Sequence, residues 1–145
     1  MRELPRQLTL EELSELLEGR TRLVERLAGL EDPLGQAEDV LLALDDDEKI
    51  EALNAHPAIG AKRLSVRSAS EQGTDADPAV LSDLAYLNQV YEEKFGFRFV
   101  VFVAGRPKRE ILEVLRERIG RTREQELETG CRELIAIARD RWTRT

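Results

Sequence analysis

Residues 87–105, LNQVYEEKFGFRFVVFVAG, decide between two fold classes. The first half belongs to a helix. Asp77-Pro78 upstream supplies an N-cap with proline at the first helical position. From there Leu81, Leu84, Tyr91 and Phe95 fall on one stripe, with Asn88 four residues after Leu84. Gly96 is placed to end that helix. The second half, FGFRFVVFVAG, is apolar, β-branched and aromatic. Taken alone it has the composition of a buried strand.

The rest of the chain is helical in pattern. Thr9 and Glu12 have capping-box spacing, and Leu10, Leu13, Leu16 and Leu17 follow at helical intervals. Val24, Leu27 and Ala28 predict a second short helix. Asp32 before Pro33 reads as an N-cap, and Leu34, Ala37, Val40, Leu41 and Leu44 form one face. Asp45–Asp47 open a helix carrying Ile50 and Leu53. It should stop near His56, because a residue before proline is pushed out of the α region. Pro107 opens a helix through Ile111, Leu112, Leu115 and Ile119, closed by Gly120. Thr122 and Gln125 form another capping box. The last helix holds Leu127, Cys131, Leu134, Ile135, Ala138 and Trp142. With no fixed-period repeat and no Gly-, Ser- or Pro-rich linker, residues 1–145 read as one domain.

Composition narrows the function. Charged residues make up 35% and apolar residues 41% of 145, with a formal charge of −7. A nucleic-acid binder relying on a basic surface is not expected. One cysteine and one histidine rule out an intrachain disulfide and argue against a zinc site. No apolar run approaches the roughly 20 residues that span a membrane. The N-terminus is charged from its second residue, unlike a signal peptide. A cytoplasmic enzyme or binding domain is the expectation.

Helical phase, about 100° per residue, picks out two arginines. Arg118 lies seven residues after Ile111, and Arg141 seven after Leu134, so both project near an apolar stripe while Arg116 and Arg139 turn outward. A buried guanidinium needs a carboxylate, carbonyls or an anionic ligand. An interhelical salt bridge, or a stem packed on the core with its head in water, explains either one equally well. His56 is the only side chain whose ordinary pKa lies near neutrality. At a helix C-terminus the dipole would favour its protonated form; a loop histidine on the surface is the plain alternative. Ser68 and Glu71 fit a capping box, and the helix start they mark is also an anion site. Cys131 reads as core. Asn88 reads either as a buried structural amide or as a group facing a pocket.

The ordered set His56-Pro57-Ala58-Ile59-Gly60, Ser68-x-x-Glu71-Gln72, Leu87-Asn88-x-x-Tyr91-x-x-Lys94-Phe95-Gly96-Phe97-x-Phe99-Val100 and Arg118-Ile119 resembles the 2-oxo-4-hydroxy-4-carboxy-5-ureidoimidazoline (OHCU) decarboxylases of urate degradation. The resemblance covers about residues 50–142, and L-N-x-x-Y-x-x-K-F-G-F is its most specific segment. It implies an all-α, bundle-like domain, usually homodimeric, with no cofactor and no metal. The substrate would be a small ureidoimidazoline acid, and the products (S)-allantoin and carbon dioxide. It assigns catalytic roles to His56, Glu71 and Arg141. It assigns substrate contacts to Pro57, Ser68 and Gln72, and to backbone at Val101, Phe102, Val103, Ala104 and Gly105. Arg118 is a second arginine for the substrate or a structural ion pair. The resemblance also implies that residues 95–105 form a helix end and a site-lining loop rather than a strand. Two other readings share the scaffold: a decarboxylase or hydrolase of another small ureide acid, and a non-catalytic helical interaction module.

Overall fold

The computed structural model describes residues 7–57 and 77–144. Among them are seven helices and no strand: α1 (Leu10–Leu16), α2 (Arg22–Leu27), α3 (Pro33–Ala43), α4 (Asp46–Ala55), α5 (Pro78–Phe95), α6 (Lys108–Ile119) and α7 (Arg123–Arg144). Helix α7 is the spine. It packs against α1, α3 and α4, while α2 bridges α1, α3 and α4, and α5 pairs with α6.

Five of the seven helix starts are capped as their sequences predict. Thr9 and Glu12 form a reciprocal box at α1. Asp32, Asp45 and Asp77 each accept a backbone N–H at the starts of α3, α4 and α5. Thr122 and Gln125 close a second reciprocal box before α7. Each cap satisfies donors that the first helical turn leaves unpaired, worth about 1 kcal/mol. The apolar stripes then meet. Leu13, Leu23, Leu27, Leu34, Leu41, Leu53, Tyr91, Ile111 and Ile135 are all fully buried. One stripe residue departs from expectation: Leu81 is 36% exposed, so the buried face of α5 begins at Leu84. Helices α4 and α7 approach closely at Gly130, where a Cβ would lie 3.3 Å from Leu53 Cδ1.

The apolar run after α5 is buried like a strand but hydrogen-bonds like a loop. Phe97, Phe99, Val100, Val101 and Val103 are in the core. Their neighbourhood is helical, so no strand edge is offered to them. Side chains satisfy the backbone instead. The Arg98 N–H donates to Asn54 Oδ1 (3.0 Å) and the Phe102 N–H to Glu133 Oε1 (3.3 Å). The Val100 carbonyl accepts from Arg118 Nη1 (2.8 Å), and the Phe102 and Val103 carbonyls accept from Arg106. Composition alone reports burial here and not a ladder; the helix end and loop that the family resemblance implies are what form.

One buried carboxylate ties three helices together. Glu126 on α7 is fully buried. Its Oε1 accepts from Tyr91 Oη on α5 and from Arg118 Nε on α6, both at 2.7 Å, and its Oε2 accepts from Arg121 at 2.9 Å. Arg118 lies over the Phe99 ring, 4.6 Å from its centroid. Burial, and the hydrogen bond to Glu126, raise the Tyr91 pKa far above its ordinary value. Removing one partner of such a cluster leaves uncompensated charge in a dry interior. Glu126→Ala is therefore expected to destabilise the fold by ~3–5 kcal/mol in urea denaturation; a loss below about 1 kcal/mol, the worth of a surface pair, would contradict this account. Gly96, at φ +82 with open space where a Cβ would go, tests the backbone separately. Gly96→Ala should cost about 1–2 kcal/mol from the left-handed conformation alone.

Candidate active site

The site begins where α4 stops. Pro57 forces the preceding residue out of the helix, and His56 takes the C-cap position at φ −79, ψ 134, its N–H on the Leu53 carbonyl. That turn sends the imidazole inward. His56 is only 8% exposed, and its Nδ1 is buried without a hydrogen-bond partner. The surface-loop reading of this histidine is therefore excluded. Its main chain is fixed from the segment after α5: Arg98 Nη1 donates to the His56 carbonyl at 2.9 Å, while the Arg98 N–H is held by Asn54, two residues before His56.

Among the described residues, three charged side chains act on the ring. Burial foremost, with Arg141 and Arg98 beside it, pushes the His56 pKa down to about 4, while Glu18 works in the opposite direction. The helix C-terminus would favour protonation, but desolvation and the two guanidinium groups outweigh it. At neutral pH the ring is a neutral imidazole, able to accept a proton.

Arg141 comes from the last turns of α7 and is 2% exposed. Its Nη1 meets the Leu16 carbonyl, at the end of α1, and Glu18 Oε1, both at 3.0 Å. His56 from α4, Arg141 from α7 and Glu18 from the α1–α2 turn thus form one electrostatic cluster. Arg118, the other inward arginine, serves a different cluster. It is held by Glu126 and supports the Val100 carbonyl, so it fixes the start of residues 101–105 from behind. Its Nη2 is buried without a hydrogen-bond partner. Both inward phases read from the sequence hold, and Arg116 is exposed as its phase requires. Arg139 is half-buried and binds the Leu34 and Gly35 carbonyls at the start of α3.

Pro57 is half-buried beside the histidine. Within 101–105, Val101 and Val103 are buried, Phe102 is half-buried, and Ala104 and Gly105 make an exposed turn with φ +51 and +75. Ser68, Glu71 and Gln72, with the capping box proposed at Ser68, lie outside the described residues. Asn88 proves to be a buried amide that donates to the Leu84 carbonyl one turn back. Cys131 is in the core, its thiol pushed up to about 12 by burial, so it is inert as a nucleophile. Among the described residues, no group of three or more His, Cys, Asp and Glu is placed to hold a metal, and no helix is long and apolar enough to cross a membrane.

Sequence reasoning missed Glu18, Asn54 and Arg98. A signal existed for Arg98: a lone charge inside FGFRFVVFV must find a partner. None existed for Glu18, whose role depends on a residue more than 120 positions away.

The histidine predicts a pH dependence of stability. Its folded-state pKa lies below the unfolded value near 6.5, so the unfolded chain binds more protons between about pH 6.5 and 4. This contribution is fully present above pH 6.5 and is lost as pH falls toward 4, by up to about 1.4 kcal/mol per pH unit. The difference in unfolding free energy between wild type and His56→Gln should shrink over that window. A difference that stays constant from pH 7 to 4.5 would place the histidine in water.

Comparison with known proteins bears on the family and the fold. A family model described as OHCU decarboxylase matches residues 2–143. The uric acid degradation bifunctional protein TTL of Arabidopsis thaliana is 36% identical over 98 residues, covering 61% of this chain and 30% of that protein. A 2-oxo-4-hydroxy-4-carboxy-5-ureidoimidazoline decarboxylase of Halalkalicoccus jeotgali is 29% identical over 96 residues, covering 63% of this chain and 54% of that protein. The chain thus spans about half or less of the length of these curated relatives. The same fold is found in the crystal structure of an OHCU decarboxylase determined in the presence of (S)-allantoin, with a TM-score of 0.77, 24% identity, and coverage of 92% of this chain and 96% of that one. A match across nearly the whole chain, on an all-helical scaffold of the same shape, means that the chain belongs to the OHCU decarboxylase family.

Proposed function

We propose that this chain decarboxylates 2-oxo-4-hydroxy-4-carboxy-5-ureidoimidazoline to (S)-allantoin, as a step of purine breakdown. The observation that carries the reading is a single buried histidine, kept neutral beside the buried Arg141–Glu18 pair, in a chain of this family.

The substrate itself supplies the electron sink. Its carboxylate sits on a carbon next to a ring C=N. When the bond to carbon dioxide breaks, its electron pair forms a carbon–carbon double bond, and the C=N pair moves to nitrogen, which takes a proton. The resulting enol loses its hydroxyl proton to become the carbonyl of allantoin, and the neighbouring carbon gains a proton. The reaction therefore asks the protein for positioning, charge stabilisation and delivery of a proton to one face.

His56 is suited to the proton work, being neutral and unpartnered at Nδ1. Glu71 is carried over from the family resemblance to orient the ring or hold the substrate's hydroxyl and ureido groups, and Ser68, Gln72 and Pro57 are carried over as substrate contacts. Arg141 faces the oxygens where negative charge develops. Arg118 supports the 101–105 segment whose backbone would meet the substrate. Homodimeric assembly and a cytoplasmic location belong to the same proposal. The first is read from light scattering, where a monomer at working concentration would remove it.

Because the substrate also decays unaided, the decisive readout is the handedness of the product. Wild-type protein should give (S)-allantoin alone, followed by circular dichroism, and a racemate formed at the uncatalysed rate would reject the proposal. His56→Gln should lower kcat by roughly 10²–10⁴-fold, the usual worth of a positioned acid–base group. Turnover at the wild-type rate would remove His56 from the chemistry.

A further inference from the structure

The turn after α1 contains a conformational oddity. Helix α1 ends at Leu16, Leu17 is its C-cap, and the Gly19 N–H returns to the Ser14 carbonyl at 3.0 Å. That bond is the long bond of a Schellman turn, whose left-handed position ordinarily takes glycine. Here the left-handed residue is Glu18, at φ +63, and the glycine stands one place later with an ordinary φ. A non-glycine residue in this region is held there against its own preference. Gly19 itself is required by packing, since a Cβ there would lie 3.2 Å from Ala55 Cβ.

What the strained position achieves is visible in its contacts. It turns the Glu18 carboxylate inward to meet Arg141 Nη1 at 3.0 Å, leaving the Glu18 side chain 14% exposed and the Arg141 side chain 0% exposed. The same Nη1 also meets the Leu16 carbonyl at 3.0 Å. Two acceptors from one short turn therefore hold the head of a guanidinium that is buried in the core. We propose that Glu18 is a positioning residue for the reaction: from its left-handed turn it sets the place of the Arg141 guanidinium and keeps that cation balanced beside His56.

The role has a second consequence on the ring. Among the charges acting on His56, Arg141 and Arg98 disfavour its protonated form and Glu18 favours it. Without Glu18, the two guanidinium groups would act more strongly on the ring. The histidine would then be a weaker base, and a proton taken up during turnover would be held less well.

The kinetic part of this inference rests on the decarboxylase reading, whereas the electrostatic part does not. Two variants separate charge from strain. Glu18→Gln keeps the shape and the strained backbone but removes the charge. Glu18→Gly removes both and fits the left-handed turn without strain, so it is the safer variant to fold. His56 is the sole histidine of the chain, so its NMR titration in substrate-free protein is unambiguous. Both variants should titrate His56 at lower pH than wild type. Both should also lose roughly 10- to 100-fold in kcat, the range for losing a hydrogen bond to a charged group, while Glu18→Gly melts no lower than Glu18→Gln. If either variant folds with His56 titrating as in wild type, or turns over at the wild-type kcat, the inference is overturned. If wild type itself produces no (S)-allantoin, the decarboxylase reading fails and the titration alone decides the role of Glu18.

Discussion

The architecture depends on one buried negative charge. Glu126 cannot be solvated where it lies, so it must be surrounded by donors. Those donors arrive from Tyr91 on α5, Arg118 on α6 and Arg121 before α7. Each donor also has a second task. Tyr91 sits within the aromatic cluster of Phe95, Phe97 and Phe99. Arg118 reaches past the carboxylate to the Val100 carbonyl. The position of α6, the burial of the aromatic run and the course of residues 97–105 thus follow from satisfying a single carboxylate. A neutral core could pack as well, but it would not dictate which three elements meet.

This casts the L-N-x-x-Y-x-x-K-F-G-F motif in an unexpected light. It is the segment that most specifically signals the family, yet its described contacts are architectural. Asn88 returns to its own helix, and Tyr91 binds Glu126. Lys94 donates to the Ile119 carbonyl at the end of α6, and Gly96 adopts the left-handed cap. Arg123 donates to the Phe95 carbonyl and lies over the Phe97 ring. The motif builds a corner, and the residues proposed for the chemistry, His56, Glu71 and Arg141, lie outside it.

That division explains what could be read in advance. Helix starts were legible because a cap is a local contract between residues three apart, as at Thr9 with Glu12 or Thr122 with Gln125. The inward phase of Arg118 and Arg141 was legible because helical period is local too. Their partners were not, since Glu126 and Glu18 are chosen by tertiary packing and look like any other acidic residue in a chain with 29. The strand expectation at 95–105 failed for a related reason. Apolar, β-branched composition marks a buried segment, but whether its amides meet a neighbouring strand or side chains such as Asn54 and Glu133 depends on what lies alongside. The neutral state of His56 was hidden as well, because helix position alone points to the opposite charge.

The contact between Arg141 and the Leu16 carbonyl spans 125 positions along the chain. Closing so long a loop is entropically expensive and comes late in folding. During synthesis, which runs from the N-terminus, α1 to α6 can form and dock while the turn at Leu16–Glu18 still waits for its guanidinium. The cluster around His56 is thus completed only when the final turns of α7 leave the ribosome. Assembly of the electrostatic centre therefore waits for the last turns of α7, and a product truncated before them would carry the histidine without Arg141.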